Sequence, residues 1–135
     1  MDELFTFLDS TYQIYFPSPY RAKRDVRKIS FVSMKMDIAQ DFKMQHFTKN
    51  PHFEIDYKVK GKLVSIYFYF GELRSTEYFI FPYKNANYIL RERVTNNSYD
   101  SPTQYKYWYC EIRADELKIV YSLCSNLARK KARSE

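Results

Sequence analysis

Glycine, cysteine and long apolar runs are scarce in this sequence, and each scarcity argues against a class of protein. Two glycines among 135 residues leave no glycine-rich loop to hold a nucleotide phosphate. Two cysteines, Cys110 and Cys124, are too few for a disulfide framework and are not spaced like zinc ligands. No apolar run approaches the roughly 18 residues of a membrane span, and the acidic N-terminus lacks the features of a secretory signal. We therefore expect a cytoplasmic protein with reduced thiols and no membrane association.

Aromatic residues and positive charge are, by contrast, abundant. Fourteen tyrosines and eleven phenylalanines provide most of an aromatic fraction of 19%, which favours a β-rich core. The length predicts one domain over residues 1–135, large enough to fold without a disulfide or a bound cofactor. A formal net charge of +6 favours an anionic partner, with nucleic acid as the first candidate.

The middle of the chain has the clearest strand pattern. Apolar and charged residues alternate over 53–60, which is typical of a strand with one buried face. Gly61 then marks a hairpin turn, and 63–70 continues as a second strand. Residues 77–84 form a third predicted strand, in which Pro82 favours a sheet edge or a strand end.

Helical periodicity marks both ends of the chain. Apolar residues at three- and four-residue steps predict a helix over 2–16 and a longer one over 114–133. Further strands are predicted over 29–38, 40–48, 88–94 and 105–112, with an exposed loop over 95–104. The residues of 40–48 also fit a short helical turn. The predicted fold is a single α+β domain with an N-terminal helix, an antiparallel sheet of about five to six strands, and a long C-terminal helix packed on the sheet.

Strand alternation predicts a sheet face that turns tyrosines and cations away from the core. Aromatic rings stack on bases and cations hold phosphates, so such a face suits single-stranded nucleic acid. Our first interpretation is a non-enzymatic protein that binds nucleic acid, or a complex or protein that handles nucleic acid, through this face. Alternatively, the tyrosines pair across strands or lie beneath a helix. The residues expected on the face are Lys58, Lys60, Tyr67, Tyr69, Arg91, Arg93, Tyr105, Tyr107 and Tyr109.

Two basic clusters extend this prediction to the flanks of the domain. Arginine-rich loops and helix ends follow phosphate backbones without reading sequence. A basic helix C-terminus also complements the helix dipole, so solvated side chains are the alternative. The clusters consist of Arg21, Lys23, Arg24, Arg27 and Lys28, and of Arg129, Lys130, Lys131 and Arg133.

Tyrosine and arginine are also enriched at protein interfaces, which gives a second interpretation. On this view the chain is a protein-binding inhibitor or immunity protein, of viral or mobile-element origin, that acts on a host or rival protein. Strong salt dependence of binding would favour nucleic acid, and salt tolerance would favour a protein partner. The oligomeric state is open, and an exposed strand around Pro82 offers an edge through which a homodimer could form.

A third interpretation is enzymatic. Asp56-x-Lys58, which follows Asp37 and Asp41 in the chain, resembles the acid-x-Lys arrangement of metal-dependent nucleases. In those enzymes carboxylates hold a divalent cation and a lysine helps to activate water. The solvent-facing side of an ordinary strand produces the same triplet, so the motif has low specificity. We therefore favour a binding protein over an enzyme, and expect neither a metal nor a cofactor.

Overall fold

The computed structural model describes residues 2–14, 23–47, 55–60, 63–69, 74–95 and 103–134. Within these ranges the backbone alone is described at 2, 23–24, 45–47, 55–60, 69, 127–128 and 130–134. The predicted turn at Gly61 and most of the predicted loop over 95–104 lie outside the described residues. No helix in the described ranges is both long and apolar enough to span a membrane.

Helices at both ends and a sheet between them confirm the predicted α+β class. The described helices are α1 (Asp2–Tyr12), α2 (Phe31–Phe47) and α3 (Ala114–Ser134). The described strands are β1 (Lys23–Lys28), β2 (Ile55–Lys60), β3 (Leu63–Tyr69), β4 (Arg74–Tyr83), β5 (Ala86–Thr95) and β6 (Gln104–Ile112). Strands β2 to β6 agree with the strands predicted for those parts of the sequence.

The strands form one sheet in the order β1-β6-β5-β4-β3-β2. From β2 to β6 each strand pairs antiparallel with the next, as predicted. Strand β1 pairs parallel with β6, which makes the sheet mixed. The first basic cluster therefore contributes an edge strand and not a loop. Charged side chains on an edge strand oppose pairing with another chain.

Helix α2 replaces the strands expected over 29–38 and 40–48, and those two predictions are wrong. The helix begins with a cap, because the Oγ of Ser30 accepts a hydrogen bond from the Ser33 N–H at 3.1 Å. Such a cap satisfies one of the backbone donors that a helix N-terminus leaves without a partner.

The buried side of α2 explains why its helical period is hard to recognise in the sequence. Among the side chains of α2 that the structure describes, the buried ones are Met34, Ile38 and Asp41, spaced by four and then three residues. This is helical spacing, but an acid occupies the third position of the buried stripe. Val32 and Met36 are exposed apolar residues, and together with Met34 and Ile38 they imitate the alternation of a strand.

A tight hairpin joins β4 to β5. Tyr83 pairs with Ala86, and the two residues between them, Lys84 and Asn85, have φ angles of 48° and 61°. Two consecutive positive φ angles are typical of a type I′ turn, whose twist matches that of the flanking strands. Pro82 lies near the end of β4, as predicted, but β4 is an interior strand between β3 and β5. The expectation of an exposed edge around Pro82 is therefore wrong, and the oligomeric state stays open.

The α2/α3 face of the sheet carries the larger core. Helix α2 places Met34 and Ile38 on it, and α3 places Val120 and Cys124, so the C-terminal helix packs on the sheet as predicted. The apolar strand residues of this face are Val64, Ile66, Phe68, Tyr78, Ile80, Ile89, Trp108, Cys110 and Ile112.

The opposite side, the α1 face, is covered by the short N-terminal helix. Leu4, Phe5 and Leu8 of α1 are buried against it. The helix ends at Gln13, which has a φ angle of 58°, and the Ile14 N–H donates back to the Leu8 carbonyl at 3.5 Å. The strand residues in this cluster are Val26, Leu63, Phe79, Phe81, Tyr83, Tyr88, Leu90, Tyr105, Tyr107 and Tyr109.

Candidate functional site

The tyrosines predicted to stack on bases lie largely beneath α1. The Tyr107 side chain is 0% exposed, and its ring centroid is 5.0 Å from that of Phe5. Tyr105 and Tyr109 are half-buried against the same apolar cluster. Tyr67 lies on this face too and is half-buried. The prediction that Tyr107 faces solvent is therefore wrong, and the alternative of a helix above the tyrosines describes this face.

The arginines predicted to lie beside these tyrosines are on the other face of the sheet. Side chains alternate along a strand, so Leu90 and Glu92 lie on the α1 face while Arg91 and Arg93 lie on the α2/α3 face. Arg91 is 7% exposed and Arg93 is half-buried. The prediction that these tyrosines and arginines share one face of the sheet is therefore wrong.

The basic clusters are described in part. Arg27 and Lys28 of β1 are exposed, and Arg27 lies 3.2 Å from the carboxylate of Asp25. Arg129 of α3 is exposed and donates a hydrogen bond to the Asn126 side chain at 2.6 Å. Nucleic-acid contacts of both clusters stay predictions. The remaining predicted residues have side chains outside the described set: Arg21, Lys23, Arg24, Lys58, Lys60, Tyr69, Lys130, Lys131 and Arg133.

The acids of the nuclease interpretation are not gathered at one strand. Asp37 and Asp41 both face Arg91 on β5. Strand β5 is three strands from β2, which corresponds to roughly 14 Å across a sheet. The side chains of Asp56 and Lys58 on β2 lie outside the described set. Among the described residues, no group of three His, Cys, Asp or Glu side chains could hold a metal ion.

A buried polar network fixes α2 to the sheet. Arg91 donates from Nε and Nη2 to the two carboxylate oxygens of Asp41, at 2.9 and 3.0 Å. The Tyr78 hydroxyl donates to the same carboxylate. The guanidinium also lies over the Trp108 ring, 4.4 Å from its centroid. Such a bidentate pair with additional partners holds both elements in one relative position.

The electrostatics of this network favour a structural role. Burial raises the pKa of the Tyr78 hydroxyl well above its ordinary value, and the charge of Asp41 adds to that effect. Burial opposes the charge on Arg91, but the hydrogen bond to Asp41 leaves the guanidinium pKa raised. Tyr78 is therefore neutral and Arg91 is charged throughout the neutral pH range. A general acid or base needs a pKa near the working pH, which neither group has.

Two glutamates face each other on the α1 face. Glu77 on β4 is directly opposite Glu92 on β5, and the Ser65 hydroxyl donates to Glu77. Burial raises the pKa of Glu92 to about 7, the charge of Glu77 adds to this, and the neighbouring Tyr107 hydroxyl opposes it. Neighbouring carboxylates disfavour ionisation of both at once. This pair therefore makes the stability of the sheet depend on pH near neutrality.

A groove between α2 and α3 gathers exposed apolar side chains. It has a volume of about 550 Å³ and lies on the outer surface of the two helices. Met36 is 65% exposed on its α2 wall, and Ile119 is 46% exposed on its α3 wall. Val32, one turn before Met36 on α2, is 60% exposed. Apolar side chains gathered in one concave place are typical of a binding surface. The lining residues are Lys35, Met36, Ala39, Lys118, Ile119, Ser122, Leu123 and Asn126.

Positive charge borders this groove. Helix α2 carries two acids, but Asp37 and Asp41 are both directed at Arg91 in the sheet beneath. Lys35 on α2 and Lys118 on α3 are exposed and line the groove. The buried arginine thus keeps the acids of α2 on its inner side, and the outer side of the helix is cationic.

The groove is identified from the shape and exposure of its residues, and not from similarity to another protein. No family model, curated protein or solved structure matches this chain. Sequence reasoning misses the groove because a strand over 29–38 would turn both Val32 and Met36 inward. On a helix these two residues lie one turn apart and away from the buried stripe. An apolar pair on the polar side of an amphipathic helix is the signal that could have identified this surface.

Proposed function

We propose that this protein is a non-enzymatic binding module that holds an amphipathic, acidic helix of a partner protein in the groove between α2 and α3. The observation that carries the proposal is the pair of exposed apolar side chains, Met36 and Ile119, on the two walls of one concave site, with exposed Val32 one turn before Met36 on α2. An inhibitor or immunity protein is one form that such a module takes. The proposal includes a cytoplasmic location, since Cys110 and Cys124 are buried free thiols of the kind that a reducing compartment maintains.

The dimensions of the groove support a short helix as the occupant. Its α3 wall extends from Lys118 to Asn126, which corresponds to roughly 12 Å of helix axis at 1.5 Å per residue. A partner helix that contributes two to three turns would fill this length. Helices bound in grooves insert apolar residues at steps of three and four, and the two-walled shape of this groove accepts such a row.

The charges around the groove support an acidic partner. Lys35 and Lys118 line the groove, and Lys43 is exposed further along α2. Glutamate and aspartate beside the apolar row of the partner would lie within reach of these ammonium groups. Complementary charge of this kind mainly raises the association rate and selects between partners, while apolar contact supplies affinity.

The test is selection from a displayed library of amphipathic helical peptides against the full-length protein. We expect the enriched peptides to carry apolar residues at steps of three and four and to be net acidic. Met36→Ser and Ile119→Ser should each weaken their binding about tenfold, because each removes roughly 1–2 kcal/mol of apolar contact. Both side chains are exposed, so neither change should impair folding.

Met44→Ser is the matched control, because Met44 is an exposed methionine of the same helix that does not line the groove. It should leave peptide binding unchanged. Enrichment of basic peptides, or equal loss of binding in Met36→Ser and Met44→Ser, would contradict the proposal. Salt-sensitive binding of a single-stranded oligonucleotide, competing with the peptides and weakened by Met36→Ser, would assign the groove to nucleic acid instead.

A further inference from the structure

Three cations meet at one end of the α2/α3 face, away from the groove. Arg93 on β5 is directly opposite Lys106 on β6. Arg74 is the first residue of β4 and pairs with Thr95, two residues beyond Arg93 on β5. The strand register thus places all three side chains on the same face, where Arg74 and Lys106 are exposed and Arg93 is half-buried. We refer to Arg74, Arg93 and Lys106 as the cationic cluster.

The positive side chains of the cationic cluster repel one another. Like charges at directly opposite positions of neighbouring strands destabilise a sheet, and Arg93 and Lys106 have this relation. Burial lowers the pKa of Arg93, the charges of Arg91 and Arg74 lower it further, and Asp41 opposes them. An anion bound at the cluster would reduce this repulsion and stabilise the charged form of Arg93.

The described acids of this region form their ion pairs with Arg91 and Arg27. Asp41 forms the bidentate pair with Arg91, and Asp37 lies 4.0 Å from the same guanidinium. The charges of both acids also act on Arg93. Asp25 on β1 is the register neighbour of Lys106, but its carboxylate lies 3.2 Å from Arg27. These acids compensate part of the positive charge without being drawn onto Arg74 and Lys106.

A buried hydroxyl lies in the same row of the sheet. Thr76 on β4 is the cross-strand partner of Arg93 and lies on the same face. Its side chain is 1% exposed, and its Oγ1 has no hydrogen-bond partner among the residues that the structure describes. A buried polar group without a partner is costly, so a ligand that accepts a hydrogen bond from Thr76 would be stabilised there.

We infer that the cationic cluster and the Thr76 hydroxyl together bind a phosphate group. Guanidinium groups donate paired hydrogen bonds to phosphate oxygens, a lysine adds a point charge, and a hydroxyl donates one further bond. The strand register places these four donors on one face of three adjacent strands. The phosphate is either that of a free or small phosphorylated molecule or the phosphodiester of a single-stranded nucleic acid. Both sources present phosphate oxygens that accept hydrogen bonds from the same residues.

The experiment is an NMR titration of the full chain at constant ionic strength, with inorganic phosphate in one arm and a short oligothymidylate in the other. We expect saturable shifts centred on the amides of Thr76, Arg93 and Lys106. Arg74→Gln and Lys106→Gln should each weaken binding about fivefold, the effect of losing one charge-assisted contact. Thr76→Val should weaken it about twofold, with an unchanged or higher midpoint of thermal unfolding, because valine has the same shape and leaves no hydroxyl without a partner.

Arg129→Gln is the matched control, since it removes one exposed arginine elsewhere and changes the net charge equally. Shifts spread over many surface cations, or equal weakening by Arg129→Gln and Arg74→Gln, would overturn the inference. The absence of any saturable shift would overturn it as well. Tighter binding of the oligothymidylate than of inorganic phosphate, by an amount that falls when the titration is repeated at higher ionic strength, identifies nucleic acid as the source, and equal binding identifies a small phosphate. Met36→Ser should have no effect here, so the test is independent of the groove.

Discussion

The two faces of the sheet hold their helices by different kinds of contact. On the α2/α3 face a bidentate ion pair, Asp41 with Arg91, is buried together with the Tyr78 hydroxyl. On the α1 face the buried contact consists of aliphatic and aromatic side chains, such as Leu8 and the Phe5 ring against Tyr107, and the ion pair of Glu3 with Lys84 is exposed. A shift of α2 would leave buried charges without partners, whereas apolar surfaces tolerate small displacements. The position of α2 is therefore more narrowly specified than that of α1.

The alternation of β5 also divides charge between the faces. The sequence Arg91-Glu92-Arg93 places both cations on the α2/α3 face and the acid on the α1 face. Glu92 there faces Glu77, so each face carries a pair of like charges. The formal charge of +6 is consequently not spread evenly around the fold. Both proposed binding surfaces, the groove and the cationic cluster, are on the α2/α3 side.

Removing the acid of the buried ion pair should have the largest effect. Asp41→Ala leaves Arg91 buried without its bidentate partner and the Tyr78 hydroxyl without its acceptor. We expect the free energy of unfolding to fall by about 3–5 kcal/mol. Urea denaturation followed by Trp108 fluorescence is the measurement, because this ring lies against the same guanidinium.

The control for this change is Asp37→Ala. The Asp37 side chain is 36% exposed, and its carboxylate lies 4.0 Å from Arg91. Its removal should therefore cost less than about 1 kcal/mol. Replacing both partners, as in Asp41→Leu with Arg91→Met, should restore much of the lost stability because no charge is left buried. Equal losses for Asp41→Ala and Asp37→Ala would show that the network does not fix α2.

Truncating the aromatic contact of α1 should have the next largest effect. Phe5→Ala removes a ring that is 4% exposed and contacts Tyr107, leaving a cavity beneath the helix. We expect a loss of about 3 kcal/mol in the free energy of unfolding, measured by urea denaturation. The exposed Thr11 provides the control, and Thr11→Ala should change stability by less than about 0.5 kcal/mol. If Phe5→Ala lowers the free energy of unfolding by less than about 1 kcal/mol, the packing of α1 on the sheet contributes little to stability.

Glu92→Gln should stabilise the protein in a pH-dependent way. The pKa of Glu92 is raised by burial from 4.5 to about 7, so between these values the folded state holds a proton that the unfolded state has lost. The free energy of unfolding therefore falls as pH rises through this interval. At pH 8 the glutamine variant should be more stable by about 1–2 kcal/mol, allowing for partial solvent screening. The gain should vanish below about pH 4.5, where the carboxyl is protonated in both states.

Urea denaturation at a series of pH values measures this effect. Glu111→Gln is the control, because Glu111 is an exposed acid of β6 on the same face. It should shift stability by less than about 0.5 kcal/mol at every pH. A stability difference between Glu92→Gln and the unchanged protein that does not vary with pH would show that Glu92 titrates normally. In that case the Glu77–Glu92 pair would give the α1 face no pH-dependent contribution to stability.

The strands and terminal helices were predictable because their patterns are local. Alternation over β2 and β3 and the apolar stripe of α3 each lie within one element, and both predictions are confirmed. The parallel position of β1 beside β6 joins residues about 80 positions apart, and no local pattern encodes it. The coverage of the tyrosines by α1 was named as an alternative, but only packing decides which side of a two-faced strand a helix occupies.

The candidate sites were less predictable than the fold, because they depend on α2. Asp41 forms an ion pair with a residue 50 positions away, and in the sequence it looks like an ordinary polar residue that interrupts an apolar stripe. A strand over 29–38 would place Met36 on the same face as Met34 and Ile38, whereas on the helix Met36 is exposed. Arg91 was expected at the surface and is buried against Asp41. The two wrong strand predictions therefore hid the groove and the acid that pairs with Arg91.

The smallest expected effect concerns the cap that begins α2. Ser30→Ala removes the Oγ that accepts from the Ser33 N–H, so a backbone donor at the start of the helix loses its partner. We expect a loss of about 1 kcal/mol in urea denaturation. Ser33→Ala is the control: it keeps that N–H and loses only an exposed hydroxyl contact, so it should cost less than about 0.5 kcal/mol. A loss in Ser30→Ala as large as that in Asp41→Ala would mean that the start of α2, and not its buried ion pair, determines how the helix binds the sheet.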